Sequence, residues 1–161
     1  MKVEKEKELY QIVTTRFGEL TLVATEQAVT QVLFGSIVLK HAHSGTNKVL
    51  RQAAKEIEEY MAWERRVFSV PLAYEGTAFQ NKVWTSLRDI PYGVTCSYKE
   101  LAESIGDPKA SRAVGNANNK NPLPIFIPCH RVIGSDGSLV GYAGGIEIKQ
   151  KLLKLERNYT I

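Results

Sequence analysis

The stretch SYKELAESIGDPKASRAVGNAN, residues 97–118, decides how the second half of this chain is organised. Its first four residues have the Ser-x-x-Glu spacing of a capping box, which opens a helix by satisfying the first free backbone N–H groups. The triplet Gly106-Asp107-Pro108 then interrupts the helical pattern. We expect Asp107 to be the N-cap and Pro108 the first turn of a second helix, at 109–118. Two helices joined by a short glycine-containing turn predict a helix-turn-helix.

Small side chains dominate the second helix of this pair. Ser111, Ala113 and Gly115 occupy alternate positions, and Arg112 is the one long side chain among them. Such a helix can pack closely on another helix, or it can approach a bulky partner such as the wall of a nucleic-acid groove. The spacing of the residues does not choose between these two interpretations.

The rest of the chain predicts an α+β fold. A further helix precedes the quoted stretch, because Thr77-Ala-Phe-Gln80 is also a capping box and its apolar stripe ends at Pro91. In the first half, β-branched segments predict strands at 9–14, 19–25, 28–34 and 67–72, with a helix at 47–63. We therefore predict a β-rich lobe with one helix at 1–76 and a mainly helical domain at 77–161.

Composition and charge limit the classes of function. Of the 161 residues, 43% are hydrophobic and 24% charged, as in soluble globular proteins. No run approaches the roughly 20 apolar residues of a membrane helix. The mixed-charge N-terminus does not resemble a signal peptide, and with two cysteines this leads us to expect a reducing, cytoplasmic setting.

The net charge of +4 lies entirely in the second half, where eleven basic residues face seven acidic ones. No acidic residue occurs between Asp107 and Asp136. Such a surface suits a polyanion, because phosphate neutralisation releases counterions. An ordinary solvated face explains the charge equally well.

A candidate nucleophile follows in NPLPIFIPCHRV, residues 121–132. The thiolate form of Cys129 would be a strong nucleophile, but an ordinary cysteine is mostly protonated at neutral pH and needs a base. His130 is adjacent, and because neighbouring side chains rarely face each other, we expect a water between them. Glu156, near the end of a last predicted helix at 146–157, could orient the histidine. A buried thiol beside a satisfied histidine is the alternative.

Two loops beside this cysteine suggest a pocket. The segment 121–124, with two prolines, can be neither helix nor central strand and so forms a stiff loop. The glycine-dense segment 141–145 could leave room for a flat ligand and expose backbone N–H groups.

Five motifs in the second half resemble a known family, the 6-O-alkylguanine-DNA alkyltransferases. They are SYKELA (97–102), RAVGNA (112–117), NPLPI (121–125), IPCHRV (127–132) and GYAGG (141–145). Their order and spacing fit across residues 77–157. Residues 1–76 match only in layout, as a variable lobe that in the family is an RNase-H-like sheet.

The resemblance implies a single-use reaction. Cys129 would take the alkyl group from 6-O-alkylguanine, and also from 4-O-alkylthymine, as a thioether that the protein cannot reverse. His130 would act on Cys129 through a water and be oriented by Glu156. Asn121 would hold the active-site turn, and Tyr98 would donate a hydrogen bond to the ring nitrogen of the departing guanine. No cofactor is implied.

The resemblance also implies a pocket and a DNA-binding helix. Backbone groups of Cys129 and Val132 would read the exocyclic amine of guanine, and the N–H of Ala143 would face its oxygen. Lys149 would lie near the thiol. The remaining pocket residues would be Pro124, Tyr142 and Gly144.

The partner would be double-stranded DNA carrying alkylated guanine, bound by a monomer. A stacked base cannot present its oxygen to a thiol, so it must be rotated out of the duplex. Helix 109–118 would enter the minor groove, with Ser111, Ala113 and Gly115 allowing close approach and Arg112 filling the space of the flipped nucleotide. Asn119 stands where some relatives carry a second arginine.

Metal binding and two other functions are the alternatives to this interpretation. Some relatives bind zinc in the N-terminal lobe, but His41, His43 and the distant Cys96 do not supply four ligands, so we expect no zinc. A pure DNA-binding regulator would show no covalent change, and relatives of that kind replace the cysteine with tryptophan. A hydrolase of the Cys-His type would turn over many times.

Overall fold

The computed structural model describes residues 7–158 and confirms the α+β fold class. The chain divides into two compact units between Tyr74 and Glu75. In the first unit the described elements are β1 (Leu9–Thr15), β2 (Gly18–Ala24), β3 (Val29–Phe34), β4 (His43–Ser44) and α1 (Lys48–Met61). Within residues 7–158, no helix has the length and apolar character needed to cross a membrane.

The first unit is a four-stranded sheet in the order β3-β2-β1-β4, with α1 packed against it. Strands β1, β2 and β3 pair antiparallel and fall within two residues of the predicted positions. Strand β4 was not predicted, because two residues paired in parallel with β1 leave no periodic pattern. The core side of α1 is apolar, as its spacing predicted, with Leu50, Ala53 and Ile57 fully buried, except for the buried carboxylate of Glu56.

The predicted strand at 67–72 is wrong. Only one isolated bridge, between Val29 and Leu72, joins this segment to the sheet. The reason is a buried carboxylate: Glu56 Oε1 accepts the backbone N–H groups of Ser69 and Val70, at 2.8 and 3.1 Å. Donors that bind a side chain in this way are no longer available to a strand ladder.

The second unit carries the helix-turn-helix. Its described elements are α2 (Ala78–Leu87), β5 (Cys96–Ser97), α3 (Tyr98–Ser104), α4 (Ser111–Asn119), a short 3-10 helix (Cys129–Arg131), β6 (Val132–Ile133) and α5 (Ile146–Asn158). Both predicted capping boxes are confirmed, Thr77 with Gln80 and Ser97 with Glu100. Helix α4 packs against α2 and α3.

The start of α4 differs from the prediction. Asp107 is not its N-cap, since the helix begins at Ser111 after Ala110, which makes no side-chain capping bond. Instead, the carbonyl of Asp107 accepts the N–H of Ala110 at 3.0 Å. Residues 107–110 therefore form a turn with Pro108 at its second position, where the fixed φ of proline favours a turn.

A two-residue parallel pairing positions the site. Cys96 pairs with Val132 and Ser97 with Ile133. This pairing brings the start of α3, and with it Tyr98, beside the segment that follows Cys129. Sequence patterns missed it because strands this short have no period.

Loss of the first capping box should destabilise the protein. Thr77→Ala removes the oxygen that accepts the Gln80 N–H at 3.1 Å. We expect the free energy of unfolding to fall by about 1 kcal/mol in urea denaturation followed by circular dichroism. Lys82→Ala, an exposed position in the same helix, is the control and should change it by less than about 0.5 kcal/mol. Equal losses in the two variants would contradict the capping role.

Candidate active site

Cys129 opens the short 3-10 helix and is only 4% exposed. Its backbone N–H donates to the carbonyl of Ile127 at 2.8 Å, and the Arg131 N–H donates to the carbonyl of Pro128 at 3.0 Å. The residues before it, 123–128, are all buried. The thiol therefore lies on a tightly bonded turn at the end of an apolar segment.

Asn121 fastens both ends of the loop before the thiol. Its Nδ2 donates to the carbonyl of Ile127 at 2.8 Å, and its Oδ1 accepts the N–H of Leu123 at 2.9 Å. Between them Ile125 has a φ of +76°, a left-handed conformation that a β-branched residue adopts only when its surroundings impose it. Pro124, predicted for the pocket, is buried in this loop.

A buried carboxylate joins His130 to Arg131. Glu156 Oε2 lies 2.7 Å from His130 Nε2, and the guanidinium of Arg131 donates to both carboxylate oxygens at 2.9 Å. The N–H of Gly93 donates to Oε1 at 3.2 Å, and Arg131 also donates to the carbonyl of Ile90 at 2.7 Å. The two-point contact between guanidinium and carboxylate fixes the direction of Glu156 as well as its charge.

The environment sets the protonation of both groups. Burial raises the pKa of the Glu156 carboxyl, but hydrogen bonds and charge from His130 and Arg131 outweigh it and hold that pKa well below its ordinary range. Burial lowers the pKa of His130, despite the opposing effect of Glu156. His130 is therefore neutral at pH 7, and because Nε2 faces a carboxylate, it is Nε2 that carries the proton. Nδ1 is left as an acceptor, with no hydrogen-bonding partner among residues 7–158.

The same burial keeps Cys129 protonated at rest. It raises the pKa of the thiol to about 11, although the Asn121 amide, the charge of Lys149 and the backbone N–H of Cys129 all favour the thiolate. At neutral pH almost none of the sulfur is ionised. Nucleophilic chemistry here needs a base to remove the proton, and the free nitrogen of His130 is a candidate.

Tyr98 and Lys149 both bind the carbonyl of Val140. The Tyr98 hydroxyl donates to it at 2.8 Å and Lys149 Nζ at 3.0 Å, with a longer contact from Nζ to the Gly141 carbonyl at 3.4 Å. Burial lowers the pKa of Lys149, and the nearby thiol of Cys129 opposes this. The two side chains thus anchor the start of the glycine loop close to Cys129.

The glycine loop carries the other predicted pocket residues. Tyr142 is half-buried, and burial raises the pKa of its hydroxyl, with the charges of Cys129 and Glu156 adding to the effect. Ala143 is exposed and Gly144 half-buried. Gly141 has a φ of +57°, a left-handed conformation that glycine adopts without strain, and a Cβ placed on it would push aside the end of the Asn119 side chain, 2.9 Å away, so the position favours glycine.

Helix α4 has an exposed face and a buried face. Arg112, Ala113 and Asn119 are exposed, and Ser111 and Gly115 are half-buried. The buried face comprises Val114, Ala117 and Asn118. The indole N–H of Trp84 donates to the Ala117 carbonyl at 2.8 Å and ties α4 to α2. The residues predicted to contact DNA therefore lie on one side of the helix, and Asn119, although exposed, also borders the glycine loop.

Sequence reasoning placed the predicted residues together but missed the role of Arg131. Tyr98, Asn121, Val132 and Lys149 all lie around Cys129 in the structure. The available signal for Arg131 was a charged residue inside a buried segment, which requires a buried partner. Asn118, whose side chain reaches Cys129, was also missed.

Neither cysteine is in a disulfide. Burial, with the nearby charge of Glu100, raises the pKa of the half-buried Cys96 to about 11. Within residues 7–158, no group of three or more histidine, cysteine or acidic side chains is arranged to hold a metal ion.

Comparison with known proteins gives matches along nearly the whole chain. Residues 78–158 match the model described as 6-O-methylguanine DNA methyltransferase, DNA binding domain, and residues 9–74 match its ribonuclease-like domain. A methylated-DNA–protein-cysteine methyltransferase of Methanosarcina acetivorans is 46% identical over 91% of this chain and 97% of its own length. The constitutive enzyme of that name from Bacillus subtilis is 45% identical over 92% and 94%.

A solved structure also matches along nearly the whole chain. The crystal structure of Mycobacterium tuberculosis OGT in complex with DNA matches with a TM-score of 0.88 and 41% identity, covering 94% of each chain.

Neutralising Glu156 should destabilise the fold in a pH-dependent way. Glu156→Gln leaves the buried charge of Arg131 without its counterion, and we expect a loss of about 3 kcal/mol or more in the free energy of unfolding at neutral pH. The folded pKa of Glu156 lies below the unfolded one, so this stabilisation is complete above the ordinary carboxyl pKa of about 4.3 and is lost as the pH falls.

Urea denaturation across a series of pH values tests this. The difference between wild type and Glu156→Gln should be largest near neutrality and shrink in acid. Glu103→Gln, at an exposed position, is the matched control and should show little difference at any pH. A wild-type advantage that stays constant into acid would contradict the assigned ionisation of Glu156.

Proposed function

This chain belongs to the family of 6-O-methylguanine DNA methyltransferases, and from that we propose that Cys129 irreversibly takes the alkyl group of 6-O-alkylguanine in DNA. Its enzyme class is that of the methylated-DNA–protein-cysteine methyltransferases, and it acts in DNA alkyl repair. The observation that best supports the assignment of Cys129 is the buried Arg131–Glu156–His130 network beside it. It leaves a neutral imidazole with one unpaired nitrogen on the residue that follows the thiol in the sequence, and the thiol needs a base.

The proposed reaction begins with proton removal. The Cys129 thiol loses its proton to His130 Nδ1, by way of a water. The negative Glu156 stabilises the imidazolium that forms, while Arg131 keeps the carboxylate ionised and oriented. The Asn121 amide and the charge of Lys149 favour the thiolate once it appears.

The transfer itself is a displacement at the alkyl carbon. A lone pair of the thiolate forms the S–C bond as the C–O bond to guanine breaks, and the bonding electrons pass to the guanine oxygen and ring. A hydrogen bond from the Tyr98 hydroxyl to the ring nitrogen would stabilise that charge. In the free protein this hydroxyl donates to the Val140 carbonyl, so it must exchange that acceptor for the substrate. Lys149 also donates to the Val140 carbonyl, so that carbonyl keeps a hydrogen-bonding partner when Tyr98 leaves it.

Single use follows from the product. The sulfur of the thioether carries no proton, and a base does not break its S–C bond. The neighbouring base therefore cannot regenerate Cys129. The hydrolase alternative would need a labile acyl intermediate, and a pure regulator would leave the thiol unchanged.

Access to the base requires that the nucleotide leave the stack. We propose that the exposed face of α4 enters the minor groove and that Arg112 occupies the space of the flipped nucleotide. Support comes from the placement of Arg112 and Ala113 on that face, away from the buried residues that hold the helix. By the family resemblance we further propose action on 4-O-alkylthymine, as a monomer, in the cytoplasm.

Intact mass spectrometry tests the transfer. After mixing with a short duplex that contains one 6-O-methylguanine, the protein should gain one methyl group in place of one hydrogen, located on Cys129 by peptide mapping. Cys129→Ser should gain nothing and still bind the duplex, because a hydroxyl is far harder to ionise. Repeated turnover, or an unchanged mass, would reject the proposal.

Arg112→Ala should separate base flipping from chemistry. We expect transfer from duplex DNA to slow about tenfold to a hundredfold, since unstacking a base costs a few kcal/mol. The rate with free 6-O-benzylguanine should stay unchanged. Arg88→Ala, at an exposed position in the same unit, is the matched control for lost positive charge. Equal slowing with both substrates would remove Arg112 from the flipping role.

A further inference from the structure

A second cavity in the helical unit lies outside the candidate active site. It is lined by the end of α2, the turn that follows it, the approach to β5, and α3. Its volume of about 340 Å³ is that of a pocket for a small molecule. Cys129, His130, Arg131 and Glu156 are not among the residues that line it. The proposed alkyl transfer therefore leaves this cavity without a use.

Most of the lining surface of this cavity is apolar. Ile90 and Leu101 are otherwise buried, whereas Pro91 is exposed and Val94 is 46% exposed, which is high for a large apolar side chain. An occupant that covers these side chains removes apolar surface from water, and this favours binding. The occupant should therefore have an apolar body.

The charges of the cavity are all negative, although the chain as a whole carries a net charge of +4. Of the described residues, the lining includes the carboxylates of Asp89 and Glu100 and no basic side chain, since the neighbouring Arg88 and Lys99 do not line it. Within residues 7–158, neither carboxylate takes part in an ion pair. Glu100 uses Oε1 to accept the N–H of Ser97 at 3.0 Å, which leaves Oε2 for a ligand. Charge complementarity therefore favours a cation.

We propose that this cavity binds an aliphatic diamine or polyamine. One ammonium group pairs with Asp89 and another with Glu100, and the methylene groups between them cover the apolar side chains of the lining. The two carboxylates belong to different segments, one after α2 and one in α3, so a ligand with a single charge cannot satisfy both. The inference does not rest on the proposed function, because it involves no reaction at Cys129.

Two lining residues also contact the segment that carries the active site. The carbonyl of Ile90 accepts a hydrogen bond from Arg131 at 2.7 Å, and Cys96 pairs with Val132. Both Ile90 and Cys96 line the cavity. A bound amine should therefore affect the amide signals of Arg131 and Val132 slightly, and those of the lining residues more strongly.

Amide NMR spectra of the isotope-labelled full chain test the proposal. The chain is titrated with 1,4-diaminobutane at constant ionic strength, so that screening by salt does not change during the titration. We expect saturable shifts at Asp89, Val94, Cys96 and Leu101. Butan-1-ol has the same number of carbon atoms and no charge, and it should bind about tenfold more weakly or less.

A charge-removing variant tests the role of the two carboxylates. Asp89→Asn combined with Glu100→Gln keeps the shape of both side chains, and glutamine still serves in the capping box of α3. We expect the dissociation constant for 1,4-diaminobutane to rise about tenfold. Glu103→Gln removes a charge from an exposed position of the same helix outside the lining, and it should leave the affinity unchanged.

Several results would overturn the inference. They are the absence of saturable shifts in the lining, shifts of equal size around exposed acidic residues elsewhere in the chain, and equal binding of butan-1-ol. Wild-type affinity in the double variant would also overturn it. If the double variant does not fold, Asp89→Asn decides alone, with an expected weakening of about threefold.

Discussion

The buried contact between Arg131 and Glu156 is the interaction on which the site depends. A carboxylate taken out of water keeps its charge only if a cation and hydrogen bonds replace the solvent, and here the guanidinium, His130 and the N–H of Gly93 do so. With the charge held, the proton of His130 stays on Nε2 and the other nitrogen is free. The same contact fastens α5 to the 3-10 helix that carries Cys129. The charge that orients the proposed base, His130, therefore also locates the proposed nucleophile, Cys129.

The protonation state of the Cys129 thiol is set by two opposing effects, burial and the polar groups around it. Burial keeps the thiol protonated, while Asn121, Lys149 and its own backbone N–H favour ionisation. In a protein whose proposed reaction consumes the sulfur, a resting thiol is protected from stray electrophiles because the thiolate is the reactive form. In the proposed reaction, Cys129 loses its proton only when the substrate is bound. In that reaction Tyr98, which donates to the Val140 carbonyl in the free protein, would change its partner at the same step.

Helix α4 has two faces, and the proposed function uses them differently. The exposed face presents Arg112, and the buried face holds the helix to α2 and to Cys129 through Trp84 and Asn118. The small residues Ser111, Ala113 and Gly115 lie on the exposed or half-buried side of the helix, where the proposed docking would use them for close approach to a groove.

The sequence by itself determined the elements with strong local signals, namely both capping boxes, the first three strands, the helix-turn-helix pairing and the family motifs around Cys129. Such signals depend on residues a few positions apart, so no other part of the chain was needed to interpret them. The tertiary structure decided what depends on distant partners. Glu56 accepts backbone N–H groups from the segment 67–72, where a strand was expected. Because residues 107–110 form a turn, α4 begins only at Ser111. The role of Arg131 and the hydrogen bond from Asn118 to the Cys129 carbonyl likewise arise from contacts across many residues, for which a linear pattern has no period and no spacing rule.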